Sequence, residues 1–379
     1  SRVGYKRFVY AGWGIRVAFI FAMGLVPFAG GFLDAPTRLV LMLALLFGFN
    51  LSRGISSAGW LPWISSLVPA PVRGRYLARD AAFVNVACFA SCLMSAVGLG
   101  TAPHPWRFAM LFAFSAVMGA VSLFFLKRIP EGIPPDEESR SGGRVPWLAM
   151  LRFAPFKKLL VMVLGWGVAY GGMQAFTVVY LKSAAGMNEG AVLLVTSIFF
   201  AGGLSSLWFL GSRLDGLGSK PVLTFSFAVW LVLLAGWTLL AGGALPGSLP
   251  LLLALQFFMG LFAALVQMSN TRLVMAIAPV MGRNHFFALF SVVASVTQGL
   301  APIGWGVMID AIGARHGTWL GLDWNGFTIF FAIVGVVFVI TLALARRLEE
   351  PEAASLEKLI REILIESPQR FLVRLWQRD

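Results

Sequence analysis

Charged residues are scarce in this sequence, and that scarcity decides its broad class. Asp, Glu, Lys and Arg make up only 12% of the 379 residues, whereas a soluble domain carries about 25%. Apolar side chains account for 58% and the mean hydropathy is +0.81. The chain is therefore predicted to lie in a lipid bilayer. Its net charge of +13 resides in short loops, so membrane topology explains it better than nucleic-acid binding.

Groups that carry chemistry are also few. Of the 17 acidic residues, only Asp80, Glu189 and Asp310 come as far as the edge of an apolar run. Proton relays usually use buried Asp, Glu or His, so coupling is expected to be absent or to depend on residues outside this chain. The histidines and cysteines lack metal-ligand spacing, and no G-x-x-x-x-G-K-[ST] phosphate loop is present. We predict no cofactor, no metal and no enzymatic activity.

The apolar residues fall into ten runs, each long enough for the roughly 20 residues that a membrane-spanning helix needs. The predicted class is therefore an all-α integral membrane protein. The runs are 8–28, 39–68, 81–99, 108–126, 159–181, 190–210, 222–245, 250–278, 286–309 and 326–345.

Lys and Arg are distributed unevenly between alternate loops. With the chain start placed inside, 24 of the 30 basic residues lie in inside segments and four in outside loops. Cytoplasmic loops carry this excess. Both termini are therefore predicted in the cytoplasm, and the membrane is expected to be a bacterial inner membrane.

Two stretches are predicted to lie outside the bilayer, and they set the predicted domain boundaries. The segment 127–158 begins as a Pro- and Gly-rich linker and ends with an amphipathic, interfacial stretch. The tail 347–379 is predicted to form an amphipathic helix on the inner leaflet, and a docking role is the alternative. These segments leave a first, incomplete helical bundle at 1–126 and a second bundle of six helices at 159–346.

A short polar turn from Gly211 to Lys220 separates two long apolar runs, and a weaker copy stands at Gly4 and Lys6. Tight turns at equivalent places in two halves indicate an internal repeat, with a solute site at the midplane between the halves. Asp215 can accept hydrogen bonds from the free N–H groups of a helix N-terminus. We interpret this turn as a latch between two conformations, although a plain polar turn is the alternative.

These motifs resemble the major facilitator superfamily, whose loop after the second and eighth helices reads G-x-L-x-D-R-x-G-R-K. Gly216 stands where that pattern has Arg. A second loop, from Pro69 to Tyr76, is similar to the P-x-x-x-R-G-R loop after helix four. The residues that carry the resemblance are Gly4, Lys6, Arg73, Arg75, Gly211, Asp215, Gly218 and Lys220.

The resemblance implies a two-bundle transporter fold in which the ten runs are helices three to twelve of twelve. Helices one and two are then expected to be missing. In the family, helices one, four, seven and ten line a central cavity, so the runs 39–68, 159–181 and 250–278 are expected to line it here.

Polar residues on those three runs recur at helical spacing, so each set is predicted to share one helix face. Such intramembrane groups are candidates for a solute pathway, although hydrogen bonding between packed helices is the alternative. Arg53 is expected to bind either an anionic group or a partner carboxylate. The predicted pathway residues are Asn50, Arg53, Trp166, Tyr170, Gln174, Gln256, Gln267 and Asn270.

The leading prediction is a monomeric secondary transporter of a small organic solute that works by alternating access. The alternative is a transporter-like receptor or scaffold without transport activity, with the basic tail as its docking arm.

Overall fold

The chain folds into a bundle of long antiparallel helices in the computed structural model. The structure describes residues 5–68, 70–101, 103–131, 147–210, 218–279, 283–313 and 317–350. Ten of the described helices are long and apolar enough to cross a membrane, which confirms the ten predicted spans. Helices suit this environment because each satisfies its own backbone hydrogen bonds where no water is available.

The first part of the chain forms four long helices, α1 to α4. A short 3₁₀ helix, Val26–Gly31, joins the first two. The helix α3 begins well before its apolar run, so its first turns carry the charged residues of the preceding loop. The bounds are α1 Tyr5–Leu25, α2 Ala35–Leu67, α3 Ala70–Leu99 and α4 Pro105–Arg128.

The second part forms one short helix and six long ones. A two-stranded antiparallel hairpin, β1 Thr318–Trp319 and β2 Leu322–Asp323, precedes the last helix. It was not predicted. The bounds are α5 Trp147–Arg152, α6 Ala154–Ser183, α7 Glu189–Leu210, α8 Ser219–Ala241, α9 Leu249–Ile277, α10 Arg283–Ile312 and α11 Gly326–Arg346.

The helices pack as two groups that meet along two seams. In the first group α1 contacts both α2 and α4. In the second, α8 packs on α9 and α11, and α6 packs on α10 and α11. The groups meet where α3 packs on α7 and where α2 packs on α10. The predicted two-bundle architecture is thus present.

The second group holds the larger core. Its buried residues include Trp230, Trp237, Phe330 and Phe338, all 0% exposed. The rings of Trp230 and Phe338 stack with centroids 5.1 Å apart. Aromatic pairs of this geometry stabilise a core beyond their buried area.

Small residues allow the tightest helix crossings. A Cβ added at Gly202 of α7 would lie 1.9 Å from the Phe257 carbonyl oxygen of α9, and one at Gly260 of α9 would lie 1.7 Å from the Phe199 oxygen of α7. Across the seam between the groups, a Cβ at Gly203 would lie 2.4 Å from Asn85 Oδ1 of α3. Close backbone approach at small residues is the usual packing mode of membrane helices.

Candidate functional site

The polar residues of α2 lie beside a junction between the two helix groups. Asn50 and Arg53 both have exposed side chains. The Asn50 amide donates to the Leu46 carbonyl at 2.9 Å. A Cβ at Gly54, the next residue, would come within 3.9 Å of Ser295 Cβ on α10. Arg53 is therefore one residue from the contact between the groups.

The polar stripe of α6 divides between core and surface. Trp166 is 2% exposed and stacks on Tyr170 with ring centroids 4.5 Å apart, and both rings meet Trp230 of α8 edge-on. Gln174 is exposed, and its amide donates to the Tyr170 hydroxyl at 2.7 Å. The stripe thus extends from the aromatic core of the second group to an open amide.

The stripe of α9 is mostly covered. Gln256 and Asn270 are 4% and 2% exposed, while Gln267 is exposed. Gly260, which lies between Gln256 and Gln267 on the same stripe, contacts the backbone of α7. Much of this stripe therefore faces a neighbouring helix. Asn270 Oδ1 is buried, and none of the residues that the structure describes donates a hydrogen bond to it.

The predicted loop residues are only partly visible. Gly4, Gly211 and Asp215 lie outside the described residues, as do the side chains of Arg73 and Arg75. The three visible residues occupy helix ends: Lys6 is in the first turn of α1, Gly218 is the N-cap of α8, and Lys220 is the second residue of that helix.

Gly218 makes the turn into α8 possible. Its φ of 85° is in a region that costs little for glycine and is strained for other residues. The backbone therefore turns sharply just before Ser219, and the first N–H groups of α8 point back out of the helix.

No group of three or more His, Cys, Asp or Glu within the described part of the chain could hold a metal ion. The sequence model of the Major Facilitator Superfamily matches residues 175–377, which is more than half of the chain. The chain belongs to the major facilitator superfamily. The resemblance proposed from the loop motifs is thereby confirmed.

Solved structures of other major facilitators share this fold. The fucose:proton symporter of E. coli aligns with a TM-score of 0.62 and 15% identity, over 92% of this chain and 85% of that chain. A D-xylose-proton symporter aligns with a TM-score of 0.68 and 13% identity, over 91% and 82%. A bacterial homologue of the iron transporter ferroportin, in an outward-facing state, aligns with a TM-score of 0.59 and 15% identity, over 91% and 84%.

At these identities the likeness concerns the fold alone. No curated protein sequence matches this major facilitator.

At one end of the second helix group, the Glu350 carboxylate binds the backbone N–H groups of Ser219 and Lys220. We call this contact the clasp; the sequence analysis did not predict it. Glu350, just beyond α11, accepts hydrogen bonds from the first backbone N–H groups of α8. Its Oε2 lies 2.8 Å from Ser219 N and 2.7 Å from Lys220 N, and its Oε1 lies 3.0 Å from Ser219 N. An anion at a helix N-terminus is stabilised by both the hydrogen bonds and the helix dipole.

The adjacent carboxylate engages a different helix of this major facilitator. Glu349 forms an ion pair and hydrogen bond with Lys158, near the start of α6. That hydrogen bond, with the charge of Lys158, lowers the pKa of Glu349 below its ordinary value of 4.5. Two consecutive acids after the last apolar run were the available signal, but their partners lie 130 or more residues away in sequence.

Proposed function

We propose that this major facilitator is a secondary transporter of a small organic solute. The observation that carries the proposal is the position of Arg53, an exposed charged side chain about midway along α2, next to the contact between the two helix groups. A charge inside a membrane span is costly and is usually retained for a function. Transporters with repeated halves bind their solute near the midplane between those halves.

The seams between the groups support the same proposal. At the α3–α7 seam, Gly190 and Gly203 let α7 approach α3 closely, and such flat contacts permit one group to rock on the other. The structural neighbours named above include symporters for fucose and for D-xylose. They support transport by this fold but leave the solute of this chain open.

The proposed pathway keeps all eight predicted residues, with different roles. Asn50, Arg53, Gln174 and Gln267 are exposed and are proposed to contact solute. The others are buried or half-buried and are proposed to position the exposed ones. These are Trp166, Tyr170, Gln256 and Asn270.

The remaining sequence predictions form part of the proposal. The bundles are proposed to span residues 1–126 and 159–346, with 127–158 and 347–379 on the cytoplasmic side of a bacterial inner membrane, and the protein is proposed to act as a monomer without a cofactor. The loop residue Asp215 is proposed to take part in a conformational latch together with the clasp at Glu350.

Counterflow tests the proposal. Purified protein is reconstituted into liposomes preloaded with unlabelled solute, and entry of a radiolabelled trace of the same solute is followed for a panel of sugars, organic acids, amines and amino acids. We expect saturable, transient accumulation for at least one solute above that in protein-free liposomes. Binding of a panel solute without counterflow for any of them would favour the receptor or scaffold alternative.

A further inference from the structure

Two arginines stand at the same level of the membrane in the first helix group. The antiparallel pair α1 and α2 is in close register: the Ser52 hydroxyl donates to the Gly12 carbonyl at 3.0 Å, and a Cβ at Gly48 would lie 2.5 Å from the Phe19 ring. Arg16 lies between the two α1 contact points, which places it opposite the α2 turn that holds Ser52.

Arg53 follows Ser52 directly. Arg16 is about 16 Å along α1 from Tyr5, and Arg53 is about 21 Å along α2 from Leu67. These two helix ends lie together, since Val9 and Trp63 share one buried cluster. The Cα atoms of both arginines therefore lie well inside their helices, at least about 16 Å from these ends.

Aromatic rings form a wall on one side of this arginine pair. The Arg16 guanidinium carbon lies 4.1 Å from the Trp13 ring centroid and 5.8 Å from that of Phe49. Phe49 precedes Arg53 by four residues on α2, so the ring and the Arg53 side chain lie on the same helix face. The wall offers apolar contact to the body of a solute whose charged group meets the arginines.

The positive charge of the pair has no counter-charge among the described residues. The ion pairs among the residues that the structure describes are Lys158 with Glu349 and Lys182 with Glu189. Between Tyr5 and Leu67 the only acidic residue is Asp34, which lies at the far end of α2 as its N-cap. The positive charges of Arg16 and Arg53 also repel each other.

Two like charges inside a membrane are costly unless an anion neutralises them. Guanidinium groups bind carboxylate and phosphate oxygens through paired hydrogen bonds, and these bonds are strong because both partners are charged. We propose that Arg16 and Arg53 bind the anionic group of a small organic acid, a carboxylate or phosphate, and that this acid is the transported solute. The inference rests on the transport function proposed above and names its substrate class.

The first test needs no ligand. Arg53→Gln is compared with the unchanged protein in nanodiscs of phosphatidylcholine, in a buffer without carboxylate or phosphate, by melting temperature. Removing one of two like charges that repel each other is expected to leave the melting temperature unchanged or raise it. If Arg53 instead holds a carboxylate of the chain, the substitution leaves that carboxylate unpaired, and a clear fall in melting temperature would overturn the inference.

Arg128→Gln is the matched control. It removes the same charge from an exposed residue at the end of α4, beside the ring of Phe124. Its melting temperature is expected to match that of the unchanged protein, so a shift confined to Arg53→Gln reports the arginine pair and not the net charge.

The second test compares benzoate with benzamide, which has the same size and shape but no charge. Benzoate is expected to raise the melting temperature of the unchanged protein and to bind roughly tenfold more tightly than benzamide. The Arg53→Gln variant is expected to lose that preference, and Arg53→Lys to keep part of it. Equal binding of the two probes, or binding of neither, would overturn the inference.

Lipid headgroups are a second source of anionic oxygen. The phosphate of phosphatidylcholine is balanced by its own choline, whereas phosphatidylglycerol is net anionic, so nanodiscs of the two lipids separate the two sources. The inference predicts that benzoate stabilises the protein in both lipids. An Arg53-dependent stabilisation by phosphatidylglycerol that benzoate cannot add to would assign the pair to lipid and overturn the inference.

Counterflow then separates this inference from the transport function. If labelled organic acids are taken up, both stand. If only neutral or cationic solutes are taken up, transport stands and the anion site fails. If no solute of any charge class is taken up, the transport function fails and the inference fails with it.

Discussion

The carboxylate of Glu350 caps α8, and replacing it with alanine should open the first turn of that helix. In the structure both oxygens of this half-buried side chain accept from the N–H groups of Ser219 and Lys220 at 2.7 to 3.0 Å. A helix cap contributes about 0.5–2 kcal/mol, and a charged, partly buried cap is at the upper end of that range. We therefore expect Glu350→Ala to cost about 2 kcal/mol of local stability.

Hydrogen exchange followed by mass spectrometry measures this loss directly. A change of about 2 kcal/mol corresponds to roughly 30-fold faster exchange, since 1.36 kcal/mol is a factor of ten. The effect should be confined to peptides that cover the start of α8. Glu350→Gln keeps an acceptor oxygen but loses the charge, so its exchange should be intermediate.

Glu349→Gln is the control for this experiment, because it removes the same charge one residue away and its partner Lys158 is on α6. It should leave exchange at Ser219 and Lys220 unchanged. Equal exchange in Glu350→Ala and the unchanged protein, or an equal effect of the two substitutions, would refute the cap.

Three further predictions follow from the packing, the last helix cap and the ion pair. Gly260→Val should cost about 3 kcal/mol of folding stability, because its Cβ would meet a backbone oxygen of α7. Gly304→Val is the control, since nothing lies within 4 Å of a Cβ added there, and only Gly260→Val should lower the melting temperature and the yield of folded protein. Asn325 caps α11 and donates to the carbonyl of α8's last residue at 2.8 Å, so Asn325→Ala should cost about 1–2 kcal/mol by chemical unfolding, and a neutral result would contradict the cap. The pKa of Glu349 is lowered by Lys158, so their pair stabilises the fold above the ordinary pKa of 4.5 and loses this effect as pH falls through the lowered value. The melting temperatures of Glu349→Gln and the unchanged protein should differ at neutral pH and converge as the pH falls below the lowered pKa of Glu349. A difference that persists in acid would contradict the assignment.

The helices of this protein could be predicted from sequence because the bilayer sets their length. Each apolar run of about 20 residues became one long helix. Where helices extend beyond the bilayer, apolarity gave no signal. The helix α3 begins at Ala70 rather than at residue 81, since Arg73, Arg75 and Arg79 sustain a helix as well as apolar residues do. The hairpin of two-residue strands at 318–323 was likewise too short to show a pattern.

The candidate site was only partly predictable. Helical spacing shows which residues share one face of a helix, but it does not show which other helix packs against that face. Gln256 and Gln267 share a stripe of α9, yet Gly260 brings α7 against it, and only Gln267 is exposed. Arg16 is not among the predicted pathway residues, and only the register between α1 and α2 places it beside Arg53. The clasp at Glu350 depends on a contact with a residue 130 positions away, which no local pattern could reveal.

The two helix groups are proposed to rock about their seams during transport. At the α3–α7 seam, a Cβ at Gly203 would lie 3.1 Å from the Asn85 Cγ atom, which is close enough for a disulfide between these two positions. A cross-link tests this directly: Cys88 and Cys92 are replaced with serine, Asn85→Cys and Gly203→Cys are introduced, and counterflow is measured before and after oxidation. We expect the disulfide to stop counterflow, reduction to restore it, and neither single-cysteine variant to respond to oxidation. Undiminished counterflow in fully cross-linked protein would contradict rocking at this seam.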